Sequence, residues 1–311
     1  MAAIQKQVSI VEKSLKAVSD SLDGNLKLKG VMRVGSLAKG LLLKSDKIVH
    51  LVLLASEVPT IHFLETVASK LQVQFSNKTT EGSDFSVTCT INEARMEVKG
   101  LMNIHVGLTS ASVRSEDAQF PNDALPKIKC LEHLAMLRHS KWFGARAAGL
   151  QSAVMILRIL RDLQTWTPSW QPLRPFALEL IVAKSLASAG LPLSPGDGLR
   201  RVFECIAGGC LLLGSPGLLD PCEKDTKDVL DNLTNQQRED LTSHAQRALR
   251  LIAFRQVHQV LSMDQILPNK YAGRGKKRPN HNNQNGTQNS DQPSAKSVKV
   301  DKTVTPTKAD N

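Results

Sequence analysis

The residues with the best claim to chemistry lie in one stretch, Val31–Leu54, which reads VMRVGSLAKGLLLKSDKIVHLVLL. Gly35 followed by Ser36 at the start of a helix can present backbone N–H groups and a hydroxyl to a phosphate. Arg33, Lys39, Lys44 and Lys47 lie close by in sequence and would favour an anion there. The same residues also make an ordinary helix-start turn with solvated charges, and both readings stay open. A nucleotide in a cleft is the ligand such a turn would take, and no cofactor is required. The run Val49–Leu54 has the length and apolar content of a buried strand. Phosphoryl or nucleotidyl transfer on such a strand needs two carboxylates at alternate positions, aimed to one side to hold Mg²⁺. His50 and Val52 occupy those positions. If Asp46 is counted first instead, the next alternating position is Ile48, and Leu101–Ser110 supplies no Asp or Glu.

One carboxylate at most cannot form a two-metal clamp, so the expectation is a chain without catalytic residues. The rival is a working, template-independent transferase that uses Asp46, Asp84 or Glu97. His50 and His105 could act as substitute ligands on neighbouring strands, but a strand histidine is more often hydrogen-bonded core or cleft wall. Cys130 and His133 fall three apart on a helix with no further ligand in view, so no metal is expected. Trp166 and Trp170, with Pro168 between them, resemble a base-stacking surface. An interhelix loop closed by its aromatics is the plainer reading.

The elements that must position these residues follow from periodicity. Ile4, Val8, Val11, Leu15, Val18 and Leu22 form one helical face that ends near Gly24. Thr60 caps a helix through Leu71. Phe85–Ile91, Arg95–Lys99 and Asn103–Leu108 read as strands. From Lys127 onward helices dominate. One opens around Leu131 and runs toward Trp142, and a second carries Arg158 and Arg161 on its polar face. A third starts at Pro175 and runs through Ala189. A fourth spans Leu199–Leu213 with Asp197 as its cap, and the last, opened by the capping box Thr234-Asn235-Gln236-Gln237, keeps its apolar face to Val260. The fold class expected is α+β: a mixed α/β lobe over 1–125, an all-helical lobe over 126–268, and a disordered basic tail over 269–311.

The totals bound the function. With 311 residues and 41% hydrophobic content the chain is long enough for two lobes. No run approaches the roughly 18 apolar residues of a membrane span, and the N-terminus lacks the order of a signal peptide. Cys89, Cys130, Cys205, Cys210 and Cys222 are scattered without CxxC spacing, which fits unpaired thiols in a reducing compartment and no zinc finger. Asn269–Asn311 carries nine Lys/Arg against three Asp, which leaves only about +5 of the formal +11 for the rest. That mild field permits nucleic acid nearby. The cluster Arg274, Lys276, Lys277 and Arg278 is either a nuclear-import or RNA-contact patch or a solvated run, so direct RNA binding through the tail is a further alternative.

With these landmarks placed, the sequence resembles the DZF family, the domain associated with zinc fingers, and within it the zinc finger RNA-binding protein and interleukin enhancer-binding factor group. The segments that carry the likeness are RVGSLAKGLLLKSD (Arg33–Asp46), LRHSKWFGARAAGLQSAVMILRILRDL (Leu137–Leu163) and TPSWQPLRPFALEL (Thr167–Leu180), followed by GLRRVFECIAGG (Gly198–Gly209), DPCEKD (Asp220–Asp225) and QQREDLTSHAQRALRLIAFRQVHQVLSMD (Gln236–Asp264). The resemblance implies a nucleotidyltransferase-like fold with a cleft between an α/β and a helical lobe. It implies pairing through the helical lobe with another DZF chain, of the interleukin enhancer-binding factor type. It also implies work in RNA metabolism, commonly nuclear, with RNA reached indirectly through separate modules; from the apolar runs, no membrane partner is expected. Arg200, Arg201, Asp220, Pro221, Cys222 and Glu223 are the candidate interface residues in that lobe.

Overall fold

The computed structural model describes residues 2–22, 27–77, 85–225 and 227–265. The tail reading, its basic cluster and Asp84 lie outside them. Helix α1 (Ala2–Asp20) buries Val8, Val11, Leu15 and Val18, the stripe expected from their spacing. Strand β1 (Leu28–Val34) was not legible in advance: only its two end residues are buried, and Lys29, Gly30 and Arg33 break the alternation. It leads directly into the single turn α2 (Gly35–Ala38) and, after a loop, into β2 (Ile48–Ala55). Helix α3 (Ile61–Asn77) is capped by Thr60, whose Oγ1 accepts from the Phe63 N–H at 3.2 Å. Strands β3 (Ser86–Thr90), β4 (Arg95–Lys99) and β5 (Asn103–Ser110) complete one five-stranded sheet of order β1-β2-β5-β4-β3.

Only β2 and β5 run parallel, and their register sets His50 beside His105 and Val52 beside Gly107. Side chains alternate across a sheet. Leu51, Leu53, Ile104, Val106 and Leu108 therefore share the face packed with α1 and α3, and all five are buried. His50, His105 and Gly107 share the other face, which meets α4 (Lys127–Trp142).

After a π-helical turn at Phe143–Ala147 the helical part continues with α5 (Ala153–Trp166), α6 (Pro175–Ala187), α7 (Pro195–Ala207), α8 (Asn235–Ala253) and the short α9 (Val257–Val260). Helix α6 is buried on nearly every side, as its continuous run FALELIVA requires. Helix α7 starts earlier than expected. Its cap is Ser194, whose hydroxyl accepts from the Asp197 N–H, rather than Asp197 itself. It also stops at Ala207, because Gly208 and Gly209 follow and Gly209 takes φ 85°. The capping box at Thr234 is present with both of its hydrogen bonds. Helix α8 ends at Ala253, and Arg255 at φ 58° breaks it from α9, so apolar period alone overran the terminus. Among the described residues no helix is long and apolar enough to cross a membrane.

Two hydrophobic cores result, one built on the sheet and one among α5–α8, within a single compact unit, Met1–Gln265. The loop between α2 and β2 stitches them together. Leu41 is buried in the helical core while Leu42, the next residue, is buried in the sheet core.

Candidate functional site

Where β1 ends, Gly35 takes φ 60°, and a Cβ on it would meet the His50 ring at 3.7 Å. The glycine-serine turn thus sits against the first of the two strand positions singled out from sequence. The His50 and His105 rings meet edge to face with centroids 5.4 Å apart. On the next strand, Glu97 lies opposite His105, with its Oε1 3.6 Å from His105 Nε2. That carboxylate is already held by Arg95, whose Nη2 donates to it at 2.9 Å. From above, α4 lays His133 over Gly107 so closely that a Cβ there would come within 2.6 Å of the ring. Glycine is the residue that lets the helix approach.

These imidazoles are held neutral. Burial, then His105, Arg95 and His133, push His50 down to about 4. Burial also lowers His105 and His133. The Nδ1 atoms of His105 and His133 are buried without a hydrogen-bond partner. Neutral nitrogens beside a guanidinium make a poor seat for Mg²⁺, a hard cation that takes oxygen ligands.

Charge is concentrated instead at the junction between the two cores. Lys39 Nζ donates to both oxygens of Glu179 on α6, at 2.8 and 2.7 Å, with the side chains only 6% and 5% exposed. The ammonium also lies 5.7 Å from the Phe143 ring centroid and 5.9 Å from that of Phe176. Burial raises the Glu179 carboxyl, opposed by Lys39. Asp46 accepts from Arg161 on α5, at 3.0 Å to Nη2, and from its own loop at the Leu43 N–H. Arg158 and Arg161 also donate to the carbonyls of Gly40 and Leu41.

On the far side of α4, Arg138 and Arg114 both donate to Glu223. His139 stacks on Phe176 at 3.5 Å and bonds Asp220 at 2.8 Å through Nε2. The donor atoms of His139, Asp220 and Cys222 lie within 4.8 Å of one another. They form a hydrogen-bonded group: the Cys222 N–H donates to Asp220 Oδ1 at 2.7 Å. Burial and Asp220 push the thiol up to about 11, so it stays protonated and unreactive.

The sequence candidates are therefore distributed unevenly. Gly35, Ser36, His50 and Lys39 come together, but Lys39 is committed to Glu179, Arg33 to Glu12 at 2.7 Å, and Lys44 and Lys47 are exposed. Val52 is core. Asp220 and Glu223 make contacts within the chain, while Pro221 is exposed. Arg200 pairs with Glu204 at 2.9 Å and Arg201 donates to Ser188 at 3.0 Å, both on exposed parts of α7. Cys130 is a buried thiol pushed up to about 11. Glu179, Arg114, Arg138 and His139 were not singled out from sequence. Adjacent Arg138 and His139 inside an otherwise packing helix were the available signal.

The sequence model of the DZF N-terminal domain matches residues 1–148, and that of the DZF C-terminal domain matches residues 152–274. The chain belongs to the DZF family. Solved structures carry the same fold at low identity. CdnC of E. coli MS115-1, in complex with HORMA-deltaN, aligns with TM-score 0.56 at 18% identity over 83% of this chain and 87% of that one. CdnC with ATP aligns with TM-score 0.52 at 17% identity over the same shares. The GTP-bound form of Vibrio cholerae DncV aligns with TM-score 0.50 at 10% identity over 84% of this chain and 82% of that one. The DZF chain thus has a nucleotidyltransferase-like fold, an α/β lobe followed by a helical one.

Proposed function

We propose that this DZF chain is a non-catalytic, nucleotidyltransferase-like module that pairs with a second DZF chain and serves as a scaffold in a nuclear RNA-processing assembly. The observation that supports the reading is the register of β2 and β5, which sets His50, Val52, His105 and Gly107 side by side. A metal clamp built on the strand positions expected from the sequence would need acids there. Of the acids weighed from sequence, Glu97 is tied to Arg95 and Asp46 to Arg161. Losing a metal clamp removes several kcal/mol of transition-state stabilisation, and each ~1.4 kcal/mol is tenfold in rate. A nucleotide at Gly35 and Ser36 would then be a structural ligand rather than a substrate.

Pairing is supported by the family's implied mode of assembly and by apolar side chains left exposed on the helical lobe. Phe254 is 71% exposed, Met263 55% and Val257 43%. They follow α8 within one short segment, whereas Met155, Leu191 and Leu213, also exposed on this lobe, lie apart in sequence. A stable pair would bury at least ~1,000–2,000 Å². RNA would reach the assembly through the partner's modules.

Two experiments test the two halves. Purified chain and a DZF partner should co-elute at sub-micromolar concentration, and Phe254→Asp with Val257→Asp should separate them. Independent elution of the unaltered chains removes the pairing half. Incubation with labelled nucleoside triphosphates, Mg²⁺ or Mn²⁺ and an RNA primer should give no incorporation. Metal-dependent incorporation would establish the enzyme instead.

A further inference from the structure

Trp166 and Trp170 were a single feature in the sequence, and the fold separates them. Trp170 is fully buried, its Nε1–H donating to His244 Nδ1 at 2.9 Å. Trp166 is 41% exposed and forms one wall of a cavity of about 390 Å³ between the end of α5, α8 and α9. Helix α8 contributes His244, Arg247, Ala248 and Leu251, the i, i+3, i+4, i+7 face of a single stripe. Helix α9 contributes Gln259 and Val260.

The polar groups at this cavity are arranged to donate. The Trp170 indole can only donate, so His244 Nδ1 accepts and the ring proton resides on Nε2. Burial and Arg247 lower the His244 pKa, which keeps that ring neutral. Arg247 is exposed and has no ion-pair partner among the described residues. Thr167, another lining residue and only 7% exposed, has a buried hydroxyl without a hydrogen-bond partner. A buried hydroxyl left unmatched is costly, and this one belongs to a residue of the cavity wall.

We infer that this cavity is a binding site for one nucleotide, its base stacked on the Trp166 indole and its phosphate paired with Arg247. A flat aromatic wall, a free guanidinium and hydrogen-bonding groups over an apolar floor match a base joined to a phosphate. The volume lies within the range of small-ligand clefts and holds one base and its sugar, not a helix of a partner. The ligand is either a free mononucleotide or one unit of a single-stranded RNA, and the chemistry is common to both. The site lies on the helical lobe, separate from the Gly35–Ser36 turn, and does not depend on the pairing reading.

The test titrates the full chain with AMP, ribose 5-phosphate and a five-residue oligo(A), read by calorimetry, with co-elution of a DZF partner measured in parallel. AMP should bind saturably and ribose 5-phosphate should not. Trp166→Ala should weaken AMP roughly 10- to 100-fold, the loss of one stacked base. Trp166→Phe, which keeps an aromatic face, should stay within a few-fold. Arg247→Glu, an exposed change that should leave folding intact, should weaken AMP about tenfold and flatten the salt dependence of the oligonucleotide. Oligo(A) binding more tightly than AMP, with sensitivity to the same variants, assigns the site to RNA, and equal affinity assigns it to free nucleotide. No saturable AMP binding overturns the proposal. So does oligonucleotide affinity that neither variant changes, or a partner chain that shields Trp166 while AMP cannot compete. Normal co-elution alongside any of these leaves pairing standing.

Discussion

Two regions at the centre of this DZF chain handle charge in opposite ways. Between the sheet and α4, His50 and His105 on the strands and His133 on the helix are neutral rings, with buried nitrogens left unmatched at His105 and His133. The junction of the two cores and the far side of α4 collect ion pairs instead: Lys39 with Glu179 and Asp46 with Arg161 at the junction, Arg114 and Arg138 with Glu223 beyond the helix. In the first region a carboxylate would be poised to receive a cation. In the second every carboxylate already has its cation in the chain. The difference shows where electrostatic free energy is used: ion pairs tie the segment between α2 and β2 to the helical core, while the sheet face keeps its rings uncharged. A fold can keep its shape while that use changes, because the hydrophobic cores, not the charges, specify the sheet and helices.

The largest effect should come from the buried pair at the junction. Glu179→Gln leaves the Lys39 ammonium in an apolar setting between Phe143 and Phe176, and an uncompensated buried charge costs about 3–5 kcal/mol. Lys39→Met does the reverse. Combining Lys39→Met with Glu179→Leu should recover most of that loss, since an apolar pair of similar volume avoids desolvation altogether. Urea unfolding of the three variants measures this. Single variants that lose under 1 kcal/mol would mean that water reaches the pair, and the contrast between the regions would weaken.

The sheet face should reveal itself through pH. The His50 pKa is about 4 in the fold, against an ordinary value of 6.5. Between those values the unfolded chain takes up a proton that the folded chain refuses, so stability falls as pH drops from 6.5 toward 4. The full contribution of this one group is about 3 kcal/mol. His105 and His133 are lowered by burial and act in the same direction, as do His139 and His244 elsewhere in the helical lobe, while Glu97 opposes and Arg95 reinforces the effect at His105. His50→Gln should reduce the slope of unfolding free energy against pH by about one proton between pH 5 and 6.5. An unchanged slope would mean that His50 is solvated, and the neutral-cluster description would not survive.

How much of this could be read in advance depends on the range of the interaction. The helical stripes of α1 and α8, the Thr60 cap and the Thr234 box are local, set by residues three or four apart, and they were legible. So was the strand holding His50 and Val52, because six apolar or near-apolar residues in a row leave little choice. The ends of α7 and α8 were missed, because Gly209 and Arg255 adopt positive φ where the apolar period continues. Strand β1 was missed because an edge strand with polar neighbours shows no alternation. At the site, Gly35, Ser36, His50 and His105 could be singled out by type and spacing. Lys39 with Glu179 and His139 with Asp220 could not, since 140 and 81 residues separate the partners and only the packed lobes bring them together.

The smallest effect tests whether the junction is uniform. Glu223 takes one hydrogen bond from Arg138, on α4, and one from Arg114, before it in the chain. The two arginines differ in setting, with side chains 25% and 40% exposed. Exposed pairs are screened and pay side-chain entropy, so Arg114→Ala should cost only about 0.2–1 kcal/mol. Arg138→Ala should cost more, because its guanidinium is better buried and its removal also strips packing from α4. A double-mutant cycle of each arginine with Glu223→Gln separates the pairwise part from those losses. Coupling larger for Arg138 than for Arg114 places the latch on α4, the helix that also covers the histidines. Equal coupling would make Glu223 an ordinary surface acceptor, leaving Lys39 with Glu179 as the buried pair that joins the α2–β2 segment to α6.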